Sequence, residues 1–188
     1  MPKTPEAGHQ RVLEAASRKG VALEIVTFGG STRTAEEAAR AVGAELGQIV
    51  KSLVFIGRGT DGEAEPYLVL VSGANRVDVP RLGAVLSEPT IRRATAREAA
   101  KHTGFAIGGI PPIGHVRPLK VVMDPDLGRF RVVWAAAGTP NSVFAVPPAT
   151  LRTLANAIVA PIAHEAPPHE ESELERARGT RAGAPTGA

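Results

Sequence analysis

Cysteine is absent from the 188 residues. That single absence excludes disulfides, thiolate metal sites and cysteine nucleophiles. Aromatic residues make up only 4% of the chain, so aliphatic side chains must fill any core. No apolar run reaches the roughly 18 residues that a membrane-spanning helix needs. The N-terminal Met1-Pro-Lys-Thr-Pro-Glu6 lacks the apolar stretch of a secretory leader. Together these absences fit a cytoplasmic protein. There is no Walker loop, no Gly-x-Ser-x-Gly elbow and no His-Glu-x-x-His pair, so three common reaction chemistries have no carrier. Of the histidines His9, His102, His115, His164 and His169, one lies near the N-terminus and two near the C-terminus. A histidine metal centre is therefore not expected, and no motif asks for a cofactor.

What is present suits one ordinary globular domain. Apolar residues make up 43% of the chain, enough at this length for a real core. The net charge of +3 is uneven: residues 164–188 carry five Glu and three Arg. The body is therefore modestly basic, which suits contact with a polyanion as it suits many proteins that bind none. From Ala163 onward Pro, Glu, Gly, Ala and Arg dominate. The expectation is a folded domain over 1–163 and a disordered tail over 164–188.

Periodicity divides the body into mixed elements. Residues 9–19 read as a helix stopped by Gly20, and Val21–Thr27 as a strand. Thr34-Ala-Glu-Glu37 and Thr95-Ala-Arg-Glu98 are capping boxes that start helices ending near Gly43 and Gly104. Ile49–Ile56 and Tyr67–Ser72 are β-branched apolar runs separated by Asp61-Gly62, which predicts a hairpin. Asp78 is placed to cap a short helix over Val79–Leu86, with Pro80 tolerated in its first turn. Ile91–Ala94 reads as a short extended piece. Leu119–Met123 and Phe130–Ala135 read as two strands joined by a hairpin turn at Asp124-Pro-Asp-Leu-Gly128. Ser142–Val146 is a last strand. Residues 148–159 form a closing helix with Leu151, Leu154, Ala155 and Ile158 inward. Without strict βαβ alternation, the fold class is α+β, a single domain whose curved, mixed, barrel-like sheet is flanked by helices.

Three places could carry chemistry. Lys51 sits in a strand whose faces, Ile49/Leu53/Phe55 and Val50/Val54/Ile56, are both apolar. Its ammonium either snorkels to water from the strand end or occupies a pocket with a partner. Gly108-Gly-Ile-Pro-Pro-Ile-Gly-His115 is a stiff, open loop that allows close backbone approach to a ligand, or simply connects two elements. Its His115 reads as a base, a donor to a ligand, or a bystander. Gly138, Thr139 and Asn141 line a pocket mouth or form an ordinary turn. Asp124 and Asp126 read as turn residues rather than an acid/base pair.

In order, Gln48-Ile-Val-Lys51-Ser-Leu-Val-Phe55, Val71-Ser-Gly-Ala-Asn-Arg-Val-Asp78, Gly108 through His115, and Ala137-Gly138 after a strand resemble the YbaK/EbsC family. That family includes relatives of the editing insertion in bacterial prolyl-tRNA synthetase. The resemblance spans about residues 9–160 and implies hydrolysis of the ester between a wrong, small amino acid and the 3′-terminal adenosine of tRNA. It implies no cofactor and no metal. The partners it implies are the tRNA acceptor end and, beyond it, an aminoacyl-tRNA synthetase. The family's lysine falls on Lys51 and its Gly-x-x-x-Pro loop on Gly108–Pro112, which gives catalytic roles to Lys51, Gly108 and Gly109. Substrate binding falls to Ile110, Pro112, His115, Gly138, Thr139 and Asn141, with Phe28 and Ser72 beside them. His115 stands where some members have Gln.

Overall fold

The structure is a computed structural model that describes residues 5–30, 34–59 and 62–165. Its centre is a pair of long antiparallel strands, β2 (Ile49–Arg58) and β3 (Ala64–Ser72), in register from Val50 opposite Ser72 to Arg58 opposite Ala64. The expected hairpin therefore forms, with longer arms than the apolar runs alone suggest.

Short strands extend the pair on both sides. On the β2 side lie β7 (Val133–Ala136), parallel to β2, then β8 (Ser142–Val146) and β1 (Ile25–Thr27), each antiparallel to its neighbour. The two-residue strand β5 (Arg92–Arg93) also pairs with β2, further along, opposite Phe55 and Ile56. On the β3 side lie β6 (Lys120–Met123) and β9 (Ile158–Val159), both added in parallel. A separate ribbon joins β4 (Asn75–Val77) to β10 (Ala163–Glu165). The sheet is mixed and the domain is α+β, as the pattern predicts.

Five α-helices pack on this frame among the described residues, and local chemistry sets their ends. Helix α2 (Ala35–Val42) starts at the reciprocal Thr34/Glu37 box and ends at Gly43 in the left-handed region. Helix α4 (Ala96–Thr103) repeats the device with Thr95, Glu98 and Gly104. Helix α3 (Val79–Leu86) is capped by Asp78, whose carboxylate accepts from the Arg81 amide at 3.1 Å. Helix α1 (Pro5–Ser17) begins earlier than periodicity indicates.

The main core lies on the β2 face that carries Val50, Val54 and Ile56, with Leu68 and Leu70 of β3. Val12 of α1, Phe105, Phe144, and Leu151 and Leu154 of helix α5 (Pro148–Ala155) close it. On the opposite face Phe55, Val69 and Val122 pack with Leu82 of α3 and with Ile162. Ile49 meets Ala38 and Ala39 of α2 in a third, smaller cluster. Burying each such aliphatic side chain contributes about 1.5–3 kcal/mol. Lys51, on the face of Ile49 and Phe55, therefore falls in the interval between the α2 and α3 clusters.

Three expectations are corrected. The strands before and after Asp124 do not form a hairpin: β6 joins β3 and β7 joins β2, on opposite sides of the central pair. The Asp124–Gly128 segment is not a plain reversal. Asp124 caps a 3-10 turn over Pro125–Arg129. The closing helix stops at Ala155, because Asn156 adopts a left-handed φ of 51°. Ile158 is then 61% exposed in β9 rather than inward. At the C-terminal end β10 includes His164 and Glu165, and His164 Nε2 lies 2.8 Å from Asp78 Oδ2. The rest of the expected tail, from 166, is outside the described residues.

Candidate active site

The pairing of β2 leaves a gap that shapes the site. On one edge β2 is zipped to β3 throughout. On the other, β7 reaches only Ile49 and Val50, and β5 only Phe55 and Ile56. Between them opens a cavity of about 340 Å3. Lys51, Ser52 and Leu53 form its floor, Thr34 and Ala38 one wall, and Trp134, Ala136 and Val143 another. Arg93 stands on a third side, and Ile107, Gly108, Ile110, Thr139 and Pro140 close the top.

Lys51 neither projects into water nor sits unpartnered. Its Nζ donates to the carbonyl of Gly73 at 3.0 Å and to that of Asn75. An ammonium has three protons, so one remains for a ligand. The turn that supplies these carbonyls is itself anchored. Asn75 Nδ2 donates to Asp124 Oδ2 and to Asp126 Oδ2, both at 2.8 Å. The two aspartates thus act as structural acceptors, as their turn position suggests. Burial pulls the Lys51 pKa below the ordinary lysine value. Glu36 opposes this, Arg76 and Arg93 add to it, and Asp124 opposes it.

The glycine-rich loop meets the cavity with its first half only. Gly108 has φ 96° and lines the top. Gly109 crosses the chain at Thr139 so closely that a β-carbon there would lie 2.7–2.9 Å from Thr139 backbone atoms. The Gly109 amide is engaged within the loop, donating to the Ala106 carbonyl at 3.1 Å. At Gly114, φ 80° turns the chain away. Pro112 and His115, on either side of it, line a separate groove with Arg11 and Arg117. His115 Nε2 lies 2.7 Å from the Pro111 carbonyl, which can only accept, so Nε2 carries the proton. Arg11 binds the far end of the loop, donating to the carbonyls of Gly114, Thr103 and Gly104.

Burial drives His115 down to about 4, with Arg11 pushing the same way and the Pro111 bond opposing. A histidine whose pKa is depressed in the fold stabilises it fully above its unfolded value of about 6.5. That contribution is lost as pH falls through the window down to 4. Melting temperature should therefore drop across this window in the wild type, and His115→Gln should flatten the drop. Equal slopes in the two proteins would show that His115 is not the titrating group.

Of the other expected residues, Thr139 lines the cavity, while Gly138, Asn141, Phe28 and Ser72 are not among its lining residues and have other contacts. Gly138 packs on Gly8 and Phe105. Asn141 Nδ2 donates to the Phe28 carbonyl at 3.0 Å, and the Phe28 amide donates back to the Asn141 carbonyl at 2.8 Å. Ser72 Oγ is spent on the Gly47 carbonyl at 2.8 Å. Sequence reasoning missed Ser52 and Arg93. Strand alternation was the available signal for Arg93: neighbours in β5 point to opposite faces. Arg92 goes outward to Glu98, at 2.9 and 2.7 Å. Arg93 goes to the cavity and lies 5.4 Å from the Phe55 ring centre, with no carboxylate paired to it among the described residues.

Comparison with known proteins gives this geometry a context. The model of a family described as aminoacyl-tRNA editing domain matches residues 30–154. The chain is 30% identical over 128 residues to the uncharacterized protein YwhH of Bacillus subtilis (strain 168), covering 68% of this chain and 78% of that protein. It is 35% identical over 125 residues to the proline–tRNA ligase of Thermosipho melanesiensis, covering 66% of this chain but only 20% of the ligase. A crystal structure described as a candidate trans-editing enzyme for prolyl tRNA synthetase matches with TM-score 0.77 and 46% identity, over 86% of this chain and 98% of that one.

Proposed function

Because the chain belongs to the family of aminoacyl-tRNA editing domains, we propose that it is a cytoplasmic hydrolase acting in trans on mischarged tRNA, removing a small amino acid such as alanine, serine or cysteine. The observation that carries this reading is the placement of Lys51 and the Gly108–Ile110 loop across one cavity of about 340 Å3.

An aminoacyl ester is already activated, so the enzyme need not supply a strong nucleophile. Water adds to the carbonyl carbon, the bond from that carbon to the ribose oxygen breaks, and the ribose oxygen leaves with a proton. The attacking water is oriented by the substrate's own free ribose hydroxyl, or a nucleophile on the amino acid takes its place. What remains for the protein is to hold the 3′ end and to stabilise the oxyanion. Lys51 clamps the terminal phosphate or ribose with its remaining proton, and Arg93 adds a second cation at the mouth. The amides of Gly108 and Ile110 receive the carbonyl oxygen. Apolar walls select by size, which discriminates weakly, so overlapping substrates are expected. A synthetase is a second proposed partner, supported by the identity shared with a segment of a proline–tRNA ligase.

The test is a deacylation panel with tRNAs carrying Ala, Ser, Cys, Thr or Pro. Hydrolysis of at least one of the small amino acids is expected. Binding without turnover on every member would instead identify a silent module that recognises the aminoacyl-tRNA end.

A further inference from the structure

Ser52 Oγ is the one buried side-chain polar atom without a hydrogen-bond partner among the described residues. It belongs to the floor of the cavity. A buried hydroxyl left unpaired costs about 1–3 kcal/mol, so its persistence beside the site asks what satisfies it.

The backbone at Ser52 poses the same question. Along a strand, successive residues turn their amide and carbonyl to alternate edges. The Ile49 carbonyl accepts from Gly73 on the β3 side, and the Val54 carbonyl accepts from Ala94 on the β5 side. Ser52 shares the parity of Val54, so its amide and carbonyl face the gap, where neither β7 nor β5 reaches. One residue thus presents a hydroxyl, an amide and a carbonyl to a cavity otherwise walled largely by apolar groups.

The other hydroxyls lining the cavity are committed. Thr34 Oγ1 caps α2 through the Glu37 amide at 3.1 Å. Thr139 Oγ1 donates to Asn141 Oδ1 at 2.8 Å and lies 2.5 Å from Ser142 Oγ. Ser142 Oγ also meets His9 Nε2 at 2.8 Å. Among the described residues no carboxylate lines the cavity. On the deacylase reading above, the ester carbonyl goes to the loop amides and the phosphate to the cations. The α-amino group of the attached amino acid is then the polar group left without a partner, and burying it unpaired is costly.

Resting on that reading, we propose that Ser52 is the α-amino recognition residue: its hydroxyl and backbone carbonyl accept from the free amino group of the esterified amino acid. The site then distinguishes an aminoacyl ester from an acyl ester of the same size.

The test uses two non-hydrolysable adenosine amides, 3′-alanylamino-3′-deoxyadenosine and its propionyl counterpart without the amino group, with binding followed by calorimetry. The wild type should prefer the alanyl compound by about tenfold, the scale of one hydrogen bond to a charged or strongly polar group. Ser52→Ala should lose most of that preference with propionyl affinity unchanged, and Ser52→Thr should keep it. Ser52→Ala should melt no lower than the wild type, since the hydroxyl has no protein partner to lose. An undiminished preference in Ser52→Ala, or no preference in the wild type, overturns the proposal while leaving the site itself standing. Failure of both compounds to bind the wild type overturns the deacylase reading together with it.

Discussion

Lys51→Ala is expected to lower kcat/KM for deacylation by about 100- to 1,000-fold, the range seen when one preorganised charge-stabilising donor is removed. The fold should survive. Lys51 is half-buried between two helix clusters, and its carbonyl partners at Gly73 and Asn75 stay in place, because the Asp124 and Asp126 carboxylates hold Asn75 from the opposite side. Water entering the vacated space can satisfy both carbonyls, so the melting temperature should change little. Lys51→Arg should not restore activity: a planar fork does not fit two carbonyls arranged around a point charge. Single-turnover deacylation beside thermal melting separates these effects. Activity within tenfold of the wild type would remove Lys51 from the centre of the site.

Gly109→Ala should damage both stability and activity. The new methyl would meet Thr139 N, Cα and C at 2.7–2.9 Å. All three are backbone atoms, so no side-chain rotation relieves the contact. Either the glycine loop or the 137–141 turn must retreat. Overpacking of this kind costs about 1–3 kcal/mol. A displacement approaching 1 Å at a positioning loop costs about 100-fold in rate. Denaturant unfolding and the deacylation assay would report the two losses. A variant with wild-type stability and rate would show that the two segments do not need to touch.

How much of this was legible in advance depends on how local the determining chemistry is. The Thr34/Glu37 and Thr95/Glu98 boxes, the Asp78 cap and the β2–β3 hairpin each rest on a few neighbouring residues, and all form where the pattern puts them. The partners of β6 and β7 were not legible. Asp124-Pro-Asp-Leu-Gly128 announces a change of direction without saying which strands lie beyond it, and Asp124 is spent on a distant asparagine. Helix α5 ended early because Asn156, like glycine, tolerates a left-handed backbone. At the site, the family resemblance selected Lys51 and the glycine loop; the domain match over residues 30–154 supports the family itself. It treated eight contiguous residues as one surface, whereas Gly108 and Ile110 line the cavity and Pro112 through His115 line another groove. Ser52 stayed hidden for the opposite reason. Nothing in Lys51-Ser-Leu-Val tells which edge of a strand its neighbours will leave uncovered.

The gap along β2 also separates what can change from what must stay. The groups proposed to act on the ester or the nucleotide backbone sit on the central strand, on the short strand β5 beside it and on one tightly packed loop. The walls proposed to decide which side chain fits come from α2, from the end of β7 and from β8. Substitutions at Ala38, Trp134, Ala136 or Val143 can reshape the chamber without disturbing Lys51 or its carbonyl cradle. On the proposed reading, such a division would let a lineage drift from one amino acid to another in small steps, keeping its reaction while exchanging its clientele.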